Sequence, residues 1–172
     1  MAYQPDMHHR RSIRLCGHDY RLPGTYFITV CTHWREPLFG RFSAGKMHAS
    51  DAGRLVQSMW NEIPTWFPHV ALDDFILMPD HMHGILRVEH PDSWGAASSA
   101  PTIGIILRRF KSCSAIAVNR LIGRAGRPLW QRNYWERIIR DDAELQATRR
   151  YIRDNPSRWH SAEDSHGRTG CD

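Results

Sequence analysis

The sequence predicts a single domain of mixed helix and antiparallel strand, an α+β fold. Three observations lead there. A chain of 172 residues suits one core. The apolar periodicity gives, in order, a strand, a helix and two further strands. Those last two strands flank Met78-Pro79-Asp80 and are joined at that turn, so they pair antiparallel. With 41% hydrophobic and 24% charged residues the chain can bury a core, and no bias towards disorder or a fibre is present.

Residues 1–24 are polar and basic and end in the turn signal Pro23-Gly24, so they read as an arm leading into a domain over 25–160. Thr25–Thr32 is β-branched and aromatic and predicts a buried strand. After a loop through Pro37 and Gly40, Leu55, Val56, Met59, Trp60 and Ile63 recur at helical spacing, giving a helix over Asp51–Phe67 with Ser50 or Asp51 as N-cap. Val70–Leu77 and His83–Val88 are the paired strands. Glu89–Pro101 is a loop by its Gly, Pro and Ser content, and Thr102–Gly123 is a second amphipathic helix with basic residues on its other face. Leu129–Arg140 fits a short fourth strand or a helix. Asp141 and Glu144 resemble a capping box opening a last helix that should stop at Pro156, before a polar tail at 161–172.

No apolar run approaches the roughly 18 residues a bilayer span requires, and the opening MAYQPDMHHRRS lacks the apolar stretch of a signal peptide, so a cytoplasmic protein without a membrane partner is expected. Cys16, Cys31, Cys113 and Cys171 contain no CxxC pair, which argues against a zinc ribbon and for reduced thiols. Lys and Arg exceed Asp and Glu by 23 to 18. The excess clusters at Arg10, Arg11 and Arg14 and at Arg108, Arg109 and Lys111, which are candidates for phosphate contacts. The seven tryptophans are candidates for core packing or for stacking on unpaired bases.

Two constellations carry possible chemistry. In His81-Met82-His83 the alternation of an extended chain sends both imidazoles to one face and Met82 to the other, as two metal ligands or as two half-exposed strand histidines. Tyr151 and Asn155 are four apart on the last helix and therefore share a face, with Tyr151 at the margin of the stripe formed by Leu145, Thr148 and Ile152. That pair is either a packed phenol with a helix-capping amide, or a nucleophile next to a third metal ligand. Arg149, Arg150 and Arg153 around it would attract a phosphate.

These residues carry a resemblance. Met78-Pro79-Asp80-His81-Met82-His83-Gly84 resembles the His-hydrophobic-His signature of the single-tyrosine HUH transposases. Trp130–Arg140 followed by Tyr151-Ile152-Arg153-Asp154-Asn155-Pro156 is similar to the C-terminal block of the REP-associated tyrosine transposases in that family. Gly24–Thr29 joins the match, which runs from about residue 10 to 159. The resemblance implies a ferredoxin-like or RRM-like antiparallel sheet with helices packed on it. It also implies a Mg²⁺- or Mn²⁺-dependent endonuclease and strand transferase acting near hairpin-forming repeats of single-stranded DNA, as a monomer or homodimer. Tyr151 would form a 5′-phosphotyrosine bond, and His81, His83 and Asn155 would hold the metal. Where relatives often carry His, Arg137 stands. The competing readings are an RRM-like single-stranded nucleic-acid-binding protein without cleavage, and an interaction protein with a dead site.

Overall fold

The structure is a computed structural model that describes residues 23–43, 46–89 and 102–166, with 157–166 as backbone alone. The predicted arm before Pro23 and the tail beyond 166 lie outside the described residues, as does the loop at 90–101. Strand β1 (Gly24–Cys31) is followed by a short 3-10 turn (His33–Arg35) and a hairpin of β2 (Gly40–Ser43) and β3 (Lys46–Ala49). Helices α1 (Asp51–Asn61) and α2 (Ile63–Trp66) lead into β4 (Val70–Leu77) and β5 (His81–Val88). Helix α3 (Ile103–Leu121), β6 (Trp135–Ile139) and α4 (Asp142–His166) complete the chain.

The main sheet has the order β4-β5-β1-β6 with every neighbouring pair antiparallel. That is the ferredoxin-like arrangement of two interleaved βαβ units, β1-α1-β4 and β5-α3-β6. Alternation gives the sheet two faces. One carries Tyr26, Ile28, Val30, Met82 and Leu86, packed against Val56 and Trp60 of α1 and Ile106, Leu107 and Phe110 of α3. The other carries Phe27, Ile85 and Ile139, packed against Leu145 and Ile152 of α4.

Local chemistry explains most boundaries. Ser50 caps α1, its hydroxyl accepting from the Gly53 amide at 3.1 Å. The expected single helix to Phe67 instead breaks at Glu62, and Pro64 sits in the first turn of α2, where its missing N–H costs nothing. Within Leu129–Arg140 a strand forms rather than a helix, over Trp135–Ile139. Asp141 accepts from the Glu144 amide at 2.8 Å, while Glu144 reaches back to the Arg140 amide at 2.9 Å. The last helix does not stop at Pro156: it continues to His166, because a proline removes one bond to the carbonyl four residues earlier without obliging the chain to leave the helix. It thereby runs past the expected domain end at 160.

Candidate functional site

Both histidines belong to β5, which starts at His81, two residues earlier than the sequence suggested. Met82 between them is fully buried in the α1/α3 core, so His81 and His83 both face α4. Their ring centroids are 4.8 Å apart. Each ring is held by its Nδ1. Thr29 of β1, the register partner of His83, places Oγ1 at 2.8 Å from His83 Nδ1. Asp80 places Oδ1 at 2.5 Å from His81 Nδ1. Asp80 is itself fixed by Arg35, whose Nε lies 2.8 Å from Oδ2. Pinning Nδ1 turns Nε2 of each ring outwards, the arrangement that orients metal-binding imidazoles. Burial, reinforced by the neighbouring His81 and Arg35, pushes His83 down to about 3, so it is neutral at pH 7 and able to donate a lone pair.

Helix α4 brings Tyr151 over this pair. Its ring lies edge-on to His83 at 5.4 Å and to Phe27 at 5.8 Å, and 37% of the residue remains exposed. Asn155, one turn further along the same face, is buried. A cleft of about 470 Å³ opens beside them. Phe27, Thr29 and His83 form its floor, Trp135 and Arg137 of β6 one wall, and Ala147, Thr148 and Tyr151 of α4 the other. Among the described residues no three His, Cys, Asp or Glu side chains converge on one point, so a third ligand beside the two histidines would have to be of another type.

No family model matches the chain. An uncharacterised protein of Haemophilus influenzae is 39% identical over 172 residues, spanning 91% of this chain and 93% of its own. A second Haemophilus influenzae protein, named as a candidate REP-associated tyrosine transposase, is 27% identical over 139 residues, 80% of this chain and 73% of its own. Among solved structures, a REP-associated tyrosine transposase bound to a REP hairpin has the same fold with a TM-score of 0.54 at 20% identity, over 78% of this chain and 67% of that one. In sequence and in fold the chain is similar to REP-associated tyrosine transposases. A candidate transposase of Deinococcus radiodurans shares the fold as well, with a TM-score of 0.50 at 16% identity over 82% of this chain and 95% of its own.

The basic residues singled out in the sequence fall in different places. Arg10, Arg11 and Arg14 lie outside the described residues. Arg108, Arg109 and Lys111 are on α3, across the sheet from Tyr151. Arg109 lies over the rings of Trp66 and Phe67 at 5.0 and 5.6 Å. Lys111 donates to the carbonyls of Gln131 and Arg132 at 2.8 and 2.9 Å, and its burial pushes it down to about 8.

Around Tyr151, Arg149 forks onto Asp73 at 2.6 and 2.9 Å, and Arg153 reaches Asp74 at 2.8 Å. The two aspartates stand at a bulge in β4 that turns consecutive side chains towards α4. The pairing holds the Asp73 carboxyl below its ordinary range. Arg149 and Arg153 therefore moor the helix. Arg150 is exposed next to Tyr151. Sequence reasoning missed Phe27, Thr29, Arg35 and Asp80 as site residues, and it noted Arg137 only as a departure from relatives. All five acquire their meaning from contacts between elements.

Proposed function

We propose that this protein is a transposase that nicks and rejoins single-stranded DNA at hairpin-forming repeats, with Tyr151 as nucleophile. The observation that carries the reading is the Tyr151 ring packed edge-on against His83 at the open side of a cleft. In the covalent step the Tyr151 oxygen attacks a phosphodiester phosphorus. A 5′-phosphotyrosine bond forms as the phenol gives up its proton, the bond to the 3′ oxygen breaks, and that oxygen leaves as the 3′-OH by taking up one proton, so the step is balanced. Resealing is the reverse attack by a 3′-OH.

The donor set suits a divalent cation. Two buried imidazoles with pinned Nδ1 atoms, one of them held neutral, stand near a helix face bearing the buried carboxamide Asn155. His81, His83 and Asn155 would hold Mg²⁺ or Mn²⁺. Bound there, the ion would supply Lewis-acid polarisation of the scissile phosphate. The chain's own residues do the rest. Thr29 and Asp80 orient the two rings, Phe27 fixes Tyr151 from below, and the Arg149 and Arg153 pairs hold α4 at its distance from the sheet. The test is incubation with labelled single-stranded hairpins from flanking DNA, with and without Mn²⁺ or Mg²⁺. The expected product is a metal-dependent nick with a protein–DNA adduct that survives denaturing electrophoresis. Metal-independent binding without any adduct would favour a module that holds single strands without cutting them.

A further inference from the structure

We propose that the cleft between β6 and α4 is a nucleobase pocket, in which Trp135 stacks on one unpaired base and Arg137 reads it as guanine. The inference rests on the nicking reading only in placing that base next to the scissile phosphate.

The cleft shares Tyr151 and His83 with the candidate catalytic pair, so a strand whose phosphate reaches Tyr151 must pass its mouth. Its volume of about 470 Å³ falls within the roughly 300–1,000 Å³ typical of sites for small organic groups. Alternation along β6 aims Trp135 and Arg137 to this side and buries Glu136 on the other.

Trp135 is 41% exposed, whereas Trp60 and Trp130 are buried in the core. Phe27 meets it edge-on at 5.5 Å and sets its angle, leaving an indole wall for a flat, unpaired partner. Arg137 closes one end. Thr148 donates its hydroxyl hydrogen to the Glu144 carbonyl at 2.7 Å, and its oxygen accepts from one terminal nitrogen of Arg137 at 3.0 Å. That bond orients the guanidinium plane. A guanidinium has five N–H donors and no acceptor, so further N–H groups can meet a base that offers acceptors in pairs. Guanine presents O6 and N7 side by side, whereas adenine places an amino donor beside N7.

The experiment titrates the full chain, without metal, with short oligothymidylates that carry one central guanine, adenine or cytosine, read by fluorescence anisotropy. The guanine oligonucleotide should bind about tenfold more tightly than the all-thymine one, as expected for one forked base contact, and the others should not. Arg137→Gln should erase that preference, bringing the ratio of guanine to all-thymine affinity to about one. Trp135→Ala should weaken every oligonucleotide about tenfold, and Trp135→Phe should restore most of the loss. Equal affinities across the four in the wild-type protein, a preference for a different base, or a guanine preference that survives in Arg137→Gln would overturn the proposal. A guanine preference with no adduct at Tyr151 would keep the pocket and remove the nicking reading. An adduct without a base preference would do the reverse.

Discussion

Two tyrosines flank the functional block, and the fold assigns them to opposite sides of the sheet. Tyr134 packs against the α1/α3 core with the Lys111 ammonium 5.8 Å above its ring, whereas Tyr151 stands over His83. Tyr151→Phe keeps the ring contacts, so it should change stability by well under 1 kcal/mol yet abolish both the nick and the adduct on hairpin DNA. The matching Tyr134→Phe protein should still form the adduct, and peptide mapping of DNA to Tyr134 would reverse the assignment. His83 supports a second prediction. Its folded value of about 3 lies below the roughly 6.5 of an unfolded histidine, so the unfolded chain binds the extra proton between those limits. Its contribution to stability is therefore complete above about pH 6.5 and is lost as pH falls towards 3, by about 1.4 kcal/mol per unit. Urea unfolding between pH 6 and 4 should reveal that slope, and His83→Gln should flatten it. The histidine pair and the Tyr151–Asn155 pair were legible because each lies on one element with its own period. Thr29 and Arg35 were not, because the β1–β5 register brings Thr29 to His83 and a turn far away in sequence brings Arg35 to Asp80; Asp80 adjoins His81 in sequence, but only its side-chain contacts reveal its part.

Elements with strong apolar periodicity were readable in the same way: β1, β4 and α3 lie where the pattern put them, β5 begins two residues earlier, and the single helix expected over Asp51–Phe67 is broken at Glu62 into α1 and α2. The β2–β3 hairpin was not, since its four-residue strands mix Arg, Lys and His with few apolar residues and alternate too briefly to signal. Between elements, packing is close enough to give a sharp expectation at Gly84. A Cβ there would collide with Cζ2 of the buried Trp60, so Gly84→Ala should destabilise the protein by about 1–3 kcal/mol, measured as a lower midpoint in urea. An unchanged midpoint would mean that α1 can slide away from β5 at little cost. Lys111 ties α3 to the segment before β6 through backbone carbonyls. Lys111→Met should lower thermal stability while leaving the salt dependence of DNA binding as it was. A shallower salt slope in that variant would return Lys111 to the phosphate-binding set.

At the scale of the whole molecule, the formal charge of +5 would favour a polyanion, and among the described residues no helix is long and apolar enough to cross a membrane. Hairpin affinity should fall as salt rises, and Arg150→Gln, which removes an exposed cation beside Tyr151, should reduce the logarithmic slope by about one phosphate contact. An identical slope would place the DNA backbone elsewhere on the surface. The two sides of the sheet are unequally built. One is covered by α1 and α3 over a continuous core, whereas α4 rests on Phe27, Ile85 and Ile139 through Leu145 and Ile152, with its Arg149 and Arg153 pairs as lateral ties. A helix so held should behave as a separate opening unit, whose amides exchange with deuterium through excursions that leave β1, β5 and α3 protected. Since Tyr151 rides on that unit and His83 does not, a strand lodged between them would act as a clamp, slowing deuterium uptake in α4 far more than anywhere else in the chain.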